Sequence, residues 1–286
     1  MLNLFPARTN NPLRINAPAF PAVSAAILGV IVLACMTSGL WTGENPAYMH
    51  LDSVSAPPGA PFLFGTDTLG RDLFKMIWCG GRESLLIGAL STAISSVIAI
   101  LYGTISGLSG KIVDELLMRG TELILSIPSI LYVISILAIL GNPTPVSIAA
   151  VIGATSWMNI AKIVRSEVRQ IRKSEYILSV RLMGGSFLYT LRKHLLPNFI
   201  PAILFMIVSN ISAAIASEAT LSFMGIGLPP AVVSWGTLMS LSEKALLTNS
   251  WWIIVIPGAF LVTTMVCITT LGEYLRSRNN MRYGNL

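Results

Sequence analysis

Charge is what this chain has least of. Of its 286 residues 53% are hydrophobic and only 11% are charged. Soluble domains carry roughly 25% charged residues, so a water-soluble fold of this length could not solvate its surface. Cysteine is nearly absent too: Cys35 and Cys267 fall inside apolar runs and Cys79 stands alone. None of the three has the spacing of a metal or redox motif, so three packing residues and no disulfide are expected. The two histidines, His50 and His194, lie far apart in sequence and promise no metal site. The net charge of +6 is scattered between apolar stretches rather than gathered on one face, which argues against nucleic-acid binding. A phosphate-cradling G-x-x-x-x-G-K-[ST] loop is missing as well. The Gly110-Lys111 pair is followed by Ile112, and Ile105 stands where the first glycine belongs. If ATP powers this chain, another subunit binds it.

What the chain does have is long apolar runs. Stretches near the spanning length of about 20 residues recur at 21–40, 84–108, 120–140, 145–164, 199–223 and 251–272. In lipid the backbone must satisfy its own hydrogen bonds, so each is expected to be a helix. The result is an all-α integral membrane protein of six transmembrane helices. The first run follows Arg8 and Arg14 and exceeds the 7–15 apolar residues typical of a signal peptide, so it is read as a retained span. The fourth is diluted by Ser156, Asn159 and Lys162. Pro128 should kink the third span, and Pro257 is a candidate kink in the sixth. Gly103 and Gly107 form a small-x-x-x-small pair in the second, fit for close packing against another helix.

The basic residues orient the chain. With the N-terminus inside, 15 of the 19 Lys and Arg fall on inner segments, and Arg71, Lys75, Arg82 and Lys244 fall outside. The positive-inside rule therefore places both termini in the cytoplasm. Residues 1–20 read as a cytoplasmic tail, 21–81 as the first span with a Pro- and Gly-rich outer segment, 82–273 as a five-helix membrane domain, and 274–286 as a cytoplasmic tail. Within the domain, residues 165–198 form a polar, basic inner segment, expected as two short helices broken at Gly184-Gly185 with Ser186 capping the second.

Three groups of residues are candidates for function. The inner segment, with Arg169, Arg172, Lys173 and Arg181, could seat in a cleft on a partner protein or simply meet anionic lipid head groups. In the fifth span Asn210, Ala214, Ser217 and Glu218 share one side of a helix. An acid at membrane depth normally faces a cavity or a partner, so Glu218 either borders a translocation path or makes a structural contact near the outer interface. Asp67, Arg71 and Asp72 in the outer segment either contact an external protein or build a local turn. No His or nucleophile accompanies these carboxylates, and no His, Asp or Ser cluster lies at membrane depth, so catalysis is not expected. A self-sufficient secondary transporter, the alternative, should show inverted repeats and several buried ionisable groups. Only Glu218 qualifies, and no repeat is visible.

Certain stretches resemble a known family. Glu175-Tyr176-Ile177-Leu178-Ser179-Val180-Arg181-Leu182-Met183-Gly184, followed by His194-Leu195-Leu196-Pro197-Asn198, is similar to the cytoplasmic loop of ABC importer permeases. That loop carries an E-A-A run, a later Gly and a distal L-P. Gly184 and Leu196-Pro197 are kept, whereas the E-A-A positions read Leu178, Ser179 and Val180. The family's Glu is absent, and Glu175, one helical turn earlier, is the candidate replacement. Phe64-Gly65-Thr66-Asp67-Thr68-Leu69-Gly70-Arg71-Asp72, Gly81-Arg82-Glu83-Ser84-Leu85 and Glu218-Ala219-Thr220-Leu221-Ser222-Phe223-Met224-Gly225-Ile226-Gly227 narrow the resemblance to the dipeptide, oligopeptide and nickel branch. Ser234-Trp235-Gly236, Trp251-Trp252 and Pro257-Gly258 match it too, whereas Arg276-Ser277-Arg278-Asn279-Asn280 lacks the branch's Asp-Pro-Arg ending.

The resemblance implies a type I importer fold, with residues 82–273 as the type-1 transmembrane domain. It implies a permease subunit in a bacterial cell membrane, moving peptides, nickel or metal–chelator complexes. The expected partners are a second homologous permease, two ATP-binding subunits that hold ATP and magnesium, an extracytoplasmic substrate-binding protein and membrane lipid, with no nucleic acid. The coupling contact on the ATPase would involve Glu175, Tyr176, Leu178, Arg181, Gly184, Gly185, His194 and Pro197. Asn210, Ser217 and Glu218 are candidates for the path, and Asp67, Arg71 and Asp72 for the binding-protein contact.

Overall fold

Hydrophobic runs without water must close their own hydrogen bonds, and they do so as helices. The computed structural model describes residues 19–283 apart from 44, 142, 175–182, 185, 242–244 and 246–247. The helices are α1 (Ala22–Trp41), α2 (Leu73–Leu108), α3 (Lys111–Leu125), α4 (Ser129–Leu140), α5 (Pro145–Thr155) and α6 (Met158–Ile171). They continue with α7 (Phe187–Thr190), α8 (Leu196–Phe223), α9 (Trp235–Ser240) and α10 (Trp252–Tyr283). Among the described residues no strand forms, and only two isolated bridges, Met49 to Arg71 and Thr66 to Asp72, pin the outer segment.

Four helices, α1, α2, the run Leu191–Phe223 and α10, are long and apolar enough to cross a membrane. Two pairs, α3 with α4 and α5 with α6, pass the same test together but bend by 82° and 45° at their breaks. The helices thus supply four continuous spans, or six when each bent pair is counted as one broken span. The first break falls at Pro128, which has no N–H to donate and keeps the preceding Ile127 out of the helical region. The second falls at Ser156 and Trp157. α10 instead continues through Pro257 without interruption.

α2 is the organising element and packs against α1, α5, α6 and α8. Its 36 residues, at 1.5 Å each, extend about 54 Å, well beyond a hydrocarbon core of about 30 Å. It begins eleven residues before the apolar run, so Lys75 and Arg82 lie in its first turns rather than in a loop. Its N-terminus is capped by the Asp72 carboxylate, which accepts from the Phe74 N–H at 2.9 Å. The Gly103/Gly107 pair faces α6. A Cβ at Gly103 would lie 2.6 Å from the Ala161 carbonyl oxygen, and one at Gly107 would lie 2.8 Å from Val168 Cγ1. Only a bare backbone allows this approach.

The inner segment is helical at its edges. α6 reaches to Ile171, and Ser186 Oγ accepts from the Tyr189 N–H at 3.3 Å as the next helix begins. Gly184 lies in a turn at φ +77°, a conformation that suits glycine. Leu191–Leu195 take a wider π-helical winding that runs directly into α8.

Candidate functional site: a cavity at two broken spans

The two breaks open onto one cavity of about 510 Å³. Leu125, Ile127, Pro128 and Ser129 reach it from the first break, and Thr155, Ser156, Met158 and Asn159 from the second. α8 supplies the opposite wall with Asn210, Ala213, Ser217 and Thr220. A second, more apolar cleft of about 480 Å³ adjoins it and shares Ile127, Tyr132, Thr155 and Met158. The described lining residues are neutral, a mixture of aliphatic surface, hydroxyls and carboxamides. Such a surface offers hydrogen bonds without committing to one charge. Irregular backbone at membrane depth is tolerated where it lines a cavity, which accounts for the siting of both breaks.

Asn210 and Ser217 therefore meet in this wall. Asn210 Nδ2 also donates to Ser95 Oγ at 2.7 Å, tying α8 to α2. Glu218 lies elsewhere. It is fully buried, and three hydroxyls donate to its carboxylate: Ser234 at 2.7 Å, Ser222 at 2.9 Å and Ser84 at 3.2 Å. Each of these serines is itself an acceptor, for the backbone N–H of Thr237, Leu228 and Trp235 respectively. Trp235 is wholly buried, donates from Nε1 to the Ile77 carbonyl at 3.0 Å, and packs over Gly81. Gly236 lies so close that a Cβ there would approach Glu218 Oε1 to 2.9 Å. Three sequence motifs far apart in the chain thus converge on one carboxylate, which fastens α2, α8 and α9 behind the cavity wall.

The outer residues also turn inward. Asp67 and Arg71 are buried and form an ion pair at 2.6 Å, while Asp67 Oδ1 accepts from the N–H groups of Leu69 and Arg71. Gly70 fits the turn because any Cβ there would collide with the His50 carbonyl. Trp252 Nε1 donates to the Thr66 carbonyl at 3.0 Å and anchors the turn on α10. In this geometry Asp67, Arg71 and the cap Asp72 hold the outer segment together.

In the inner segment, Glu175, Tyr176, Leu178, Arg181 and Gly185 lie outside the described residues. His194 and Pro197 sit where the π-helical turn joins α8, and the His194 ring stacks edge-on to Tyr189 with centroids 5.6 Å apart. Pro197 and the tip at Gly184 are exposed.

One feature was not singled out from sequence. Asp114, at the start of α3, is 2% exposed and accepts from Arg165 Nη2 at 2.6 Å and from Ser106 Oγ at 2.6 Å. Arg169 Nη1 lies 3.0 Å from Oδ2, the same oxygen that accepts from Arg165 Nη2. An acid among the basic residues that set the topology was the available signal.

Comparison with known proteins agrees with this architecture. Residues 99–280 match the family described as binding-protein-dependent transport system inner membrane component. The chain is 35% identical over 226 residues to the dipeptide transport system permease protein DppC of Bacillus subtilis, covering 79% of this chain and 70% of that one. It is 33% identical over 264 residues to the oligopeptide transport system permease protein OppC of the same organism, covering 92% and 86%. With bent and straight spans packed around α2 and a family match over most of its length, the chain belongs to the binding-protein-dependent transport system inner membrane components, as a multi-pass permease subunit of a bacterial ABC importer.

Proposed function

We propose that this permease subunit imports di- or oligopeptides as one half of a heterodimeric channel. The observation that carries the reading is the neutral cavity at the two broken spans. A peptide presents many amide donors and acceptors and variable side chains. A wall of Ser129, Asn159, Asn210, Ser217 and Thr220 interleaved with aliphatic surface can meet amides without selecting a side-chain charge. The names of the similar permeases point to the same class of solute.

In this reading both termini and the 175–197 loop are cytoplasmic. Two ATP-binding subunits, holding ATP and magnesium, dock on that loop. A second permease completes the path, and an extracytoplasmic binding protein delivers the solute to the outer face. The chain itself makes and breaks no covalent bond. The test is purification of the tagged chain from its native membrane in mild detergent, with identification of what accompanies it. The complex is then reconstituted and offered labelled peptide, free nickel or a nickel chelate. ATP-dependent uptake of peptide supports the reading. Uptake of nickel or its chelate alone would reassign the cargo, and recovery of an active chain without ATPases would revive an autonomous carrier.

A further inference from the structure

The cytoplasmic halves of the two broken spans are bolted together, and both breaks lie at the cavity. α3 and α6 meet through Asp114, whose carboxylate takes Arg165 in a two-pronged contact, Arg169 at 3.0 Å and the Ser106 hydroxyl. Just past the end of α6, the capping residue Arg172 donates from Nη1 to the carbonyls of Gly107 and Ser109 at 2.8 and 3.1 Å, closing the end of α2. Tyr102 completes the joint. Its hydroxyl donates to the Leu117 carbonyl at 2.7 Å, and its ring lies 4.5 Å from that of Trp157 at the second break. Paired guanidinium–carboxylate contacts hold geometry as well as charge. Breaking one would strand two arginines beside a buried site.

The helical ladder is interrupted at both breaks. Between Ser126 and Pro128 the chain turns by 82°, and between Ser156 and Trp157 by 45°. Hinges are a few element-terminal residues that absorb backbone rotation, and these two face each other across Ile127, Tyr132, Thr155 and Met158. α6 also leads directly into the 175–197 loop.

We propose that Asp114 is a positioning residue for transport: by locking α3 to α6 it makes their cytoplasmic halves one lever, hinged at Ser126–Pro128 and Ser156–Trp157, that carries movement of the 175–197 loop to the cavity floor. This rests on the importer reading above. A push on the loop reaches both breaks at once through the clamp. Without the clamp, α6 would move and α3 would lag.

Asp114→Asn removes the charge and keeps the shape. In the reconstituted complex it should leave ATPase assembly intact and the ATP hydrolysis rate within about twofold, while solute moved per ATP falls about tenfold, the scale of a modest coupling energy. Asp114→Glu should recover much of the ratio, and so should the exchanged pair Asp114→Arg with Arg165→Asp. A wild-type ratio in Asp114→Asn overturns the proposal, as does a parallel fall in assembly, hydrolysis and uptake that Asp114→Glu fails to relieve. A distance measurement does not depend on the variant folding. On a background with the three cysteines replaced, spin labels at the exposed Leu116 of α3 and Gln170 of α6 should keep one separation with and without ATP and vanadate. Labels at Leu116 and the exposed Ile139 of α4 should change theirs. A Leu116–Gln170 distance that shifts with nucleotide refutes the lever. Should the wild-type complex show no ATP-driven uptake at all, the importer reading fails. The lever is then judged in the chain alone, where Asp114→Asn must broaden the Leu116–Gln170 distance.

Discussion

Replacing Gly103 with alanine tests whether close backbone approach holds α2 against α6. The added Cβ would sit 2.6 Å from the Ala161 carbonyl oxygen and 2.8 Å from Val164 Cβ. Ordinary contact begins near 3.4 Å, so the helices must separate by close to an ångström. Neither neighbour can rotate away, because one is backbone and the other is the branch point of a valine. Overpacking of this kind costs about 1–3 kcal/mol, a factor of roughly 5 to 150 in the folding equilibrium. Helix propensity works the other way, favouring alanine by up to about 1 kcal/mol. Gly120 of α3 provides the control, since nothing lies within 4 Å of its added Cβ. Unfolding of the purified chain in detergent should show Gly103→Ala less stable than wild type and Gly120→Ala equal or more stable. A Gly103→Ala protein as stable as Gly120→Ala would show that α2 and α6 do not pack this closely.

Other substitutions probe the remaining contacts. Glu218→Ala strands three serine hydroxyls in a dry site and should cost at least about 2 kcal/mol of stability, whereas Glu218→Gln keeps an acceptor and should cost less. Equal loss in thermal unfolding for the two would argue against the hydroxyl cluster. Ser217→Trp fills the cavity from a helix face that needs no repacking, and should cut uptake at least about tenfold, equivalent to 1.4 kcal/mol, with ATPase co-purification unchanged. Unaltered uptake would remove this cavity from the path. Arg71→Met leaves the Asp67 carboxylate buried without its cation and should lower stability by about 3 kcal/mol or more. A normally stable variant that has lost only binding-protein affinity would instead make these residues a docking contact.

The membrane architecture was legible because lipid enforces it. Every apolar run from 21–40 to 251–272 coincides with a helix or a bent pair. The ends were less visible: α2 and α6 extend past their hydrophobic stretches on amphipathic turns that a hydropathy window averages away. Pro128 announced the first break, whereas the second needed only Ser156 and Trp157 and had no proline to mark it. The candidate site was half readable. Asn210 and Ser217 stand seven residues apart, two helical turns, and share the cavity wall. Glu218 follows Ser217 by one residue, a rotation of about 100°, enough to turn it away from the cavity and toward Ser84 of α2. Of its three serine partners only Ser222, one turn further along the same helix, was readable from spacing; the other two come from 134 residues before it and 16 after it. Asp114 and Arg165 are likewise separated by 51 residues. Such pairings follow from how helices dock, and a single sequence does not display that.

The most direct test of the account is ATP-driven uptake by the purified complex in proteoliposomes, with labelled peptide and the cavity blocked or open. The account predicts that wild-type protein accumulates peptide only when ATP and the co-purified ATPases are present, and that Ser217→Trp abolishes accumulation in an intact complex. Peptide accumulation that persists without ATP, or through the filled cavity, would contradict it.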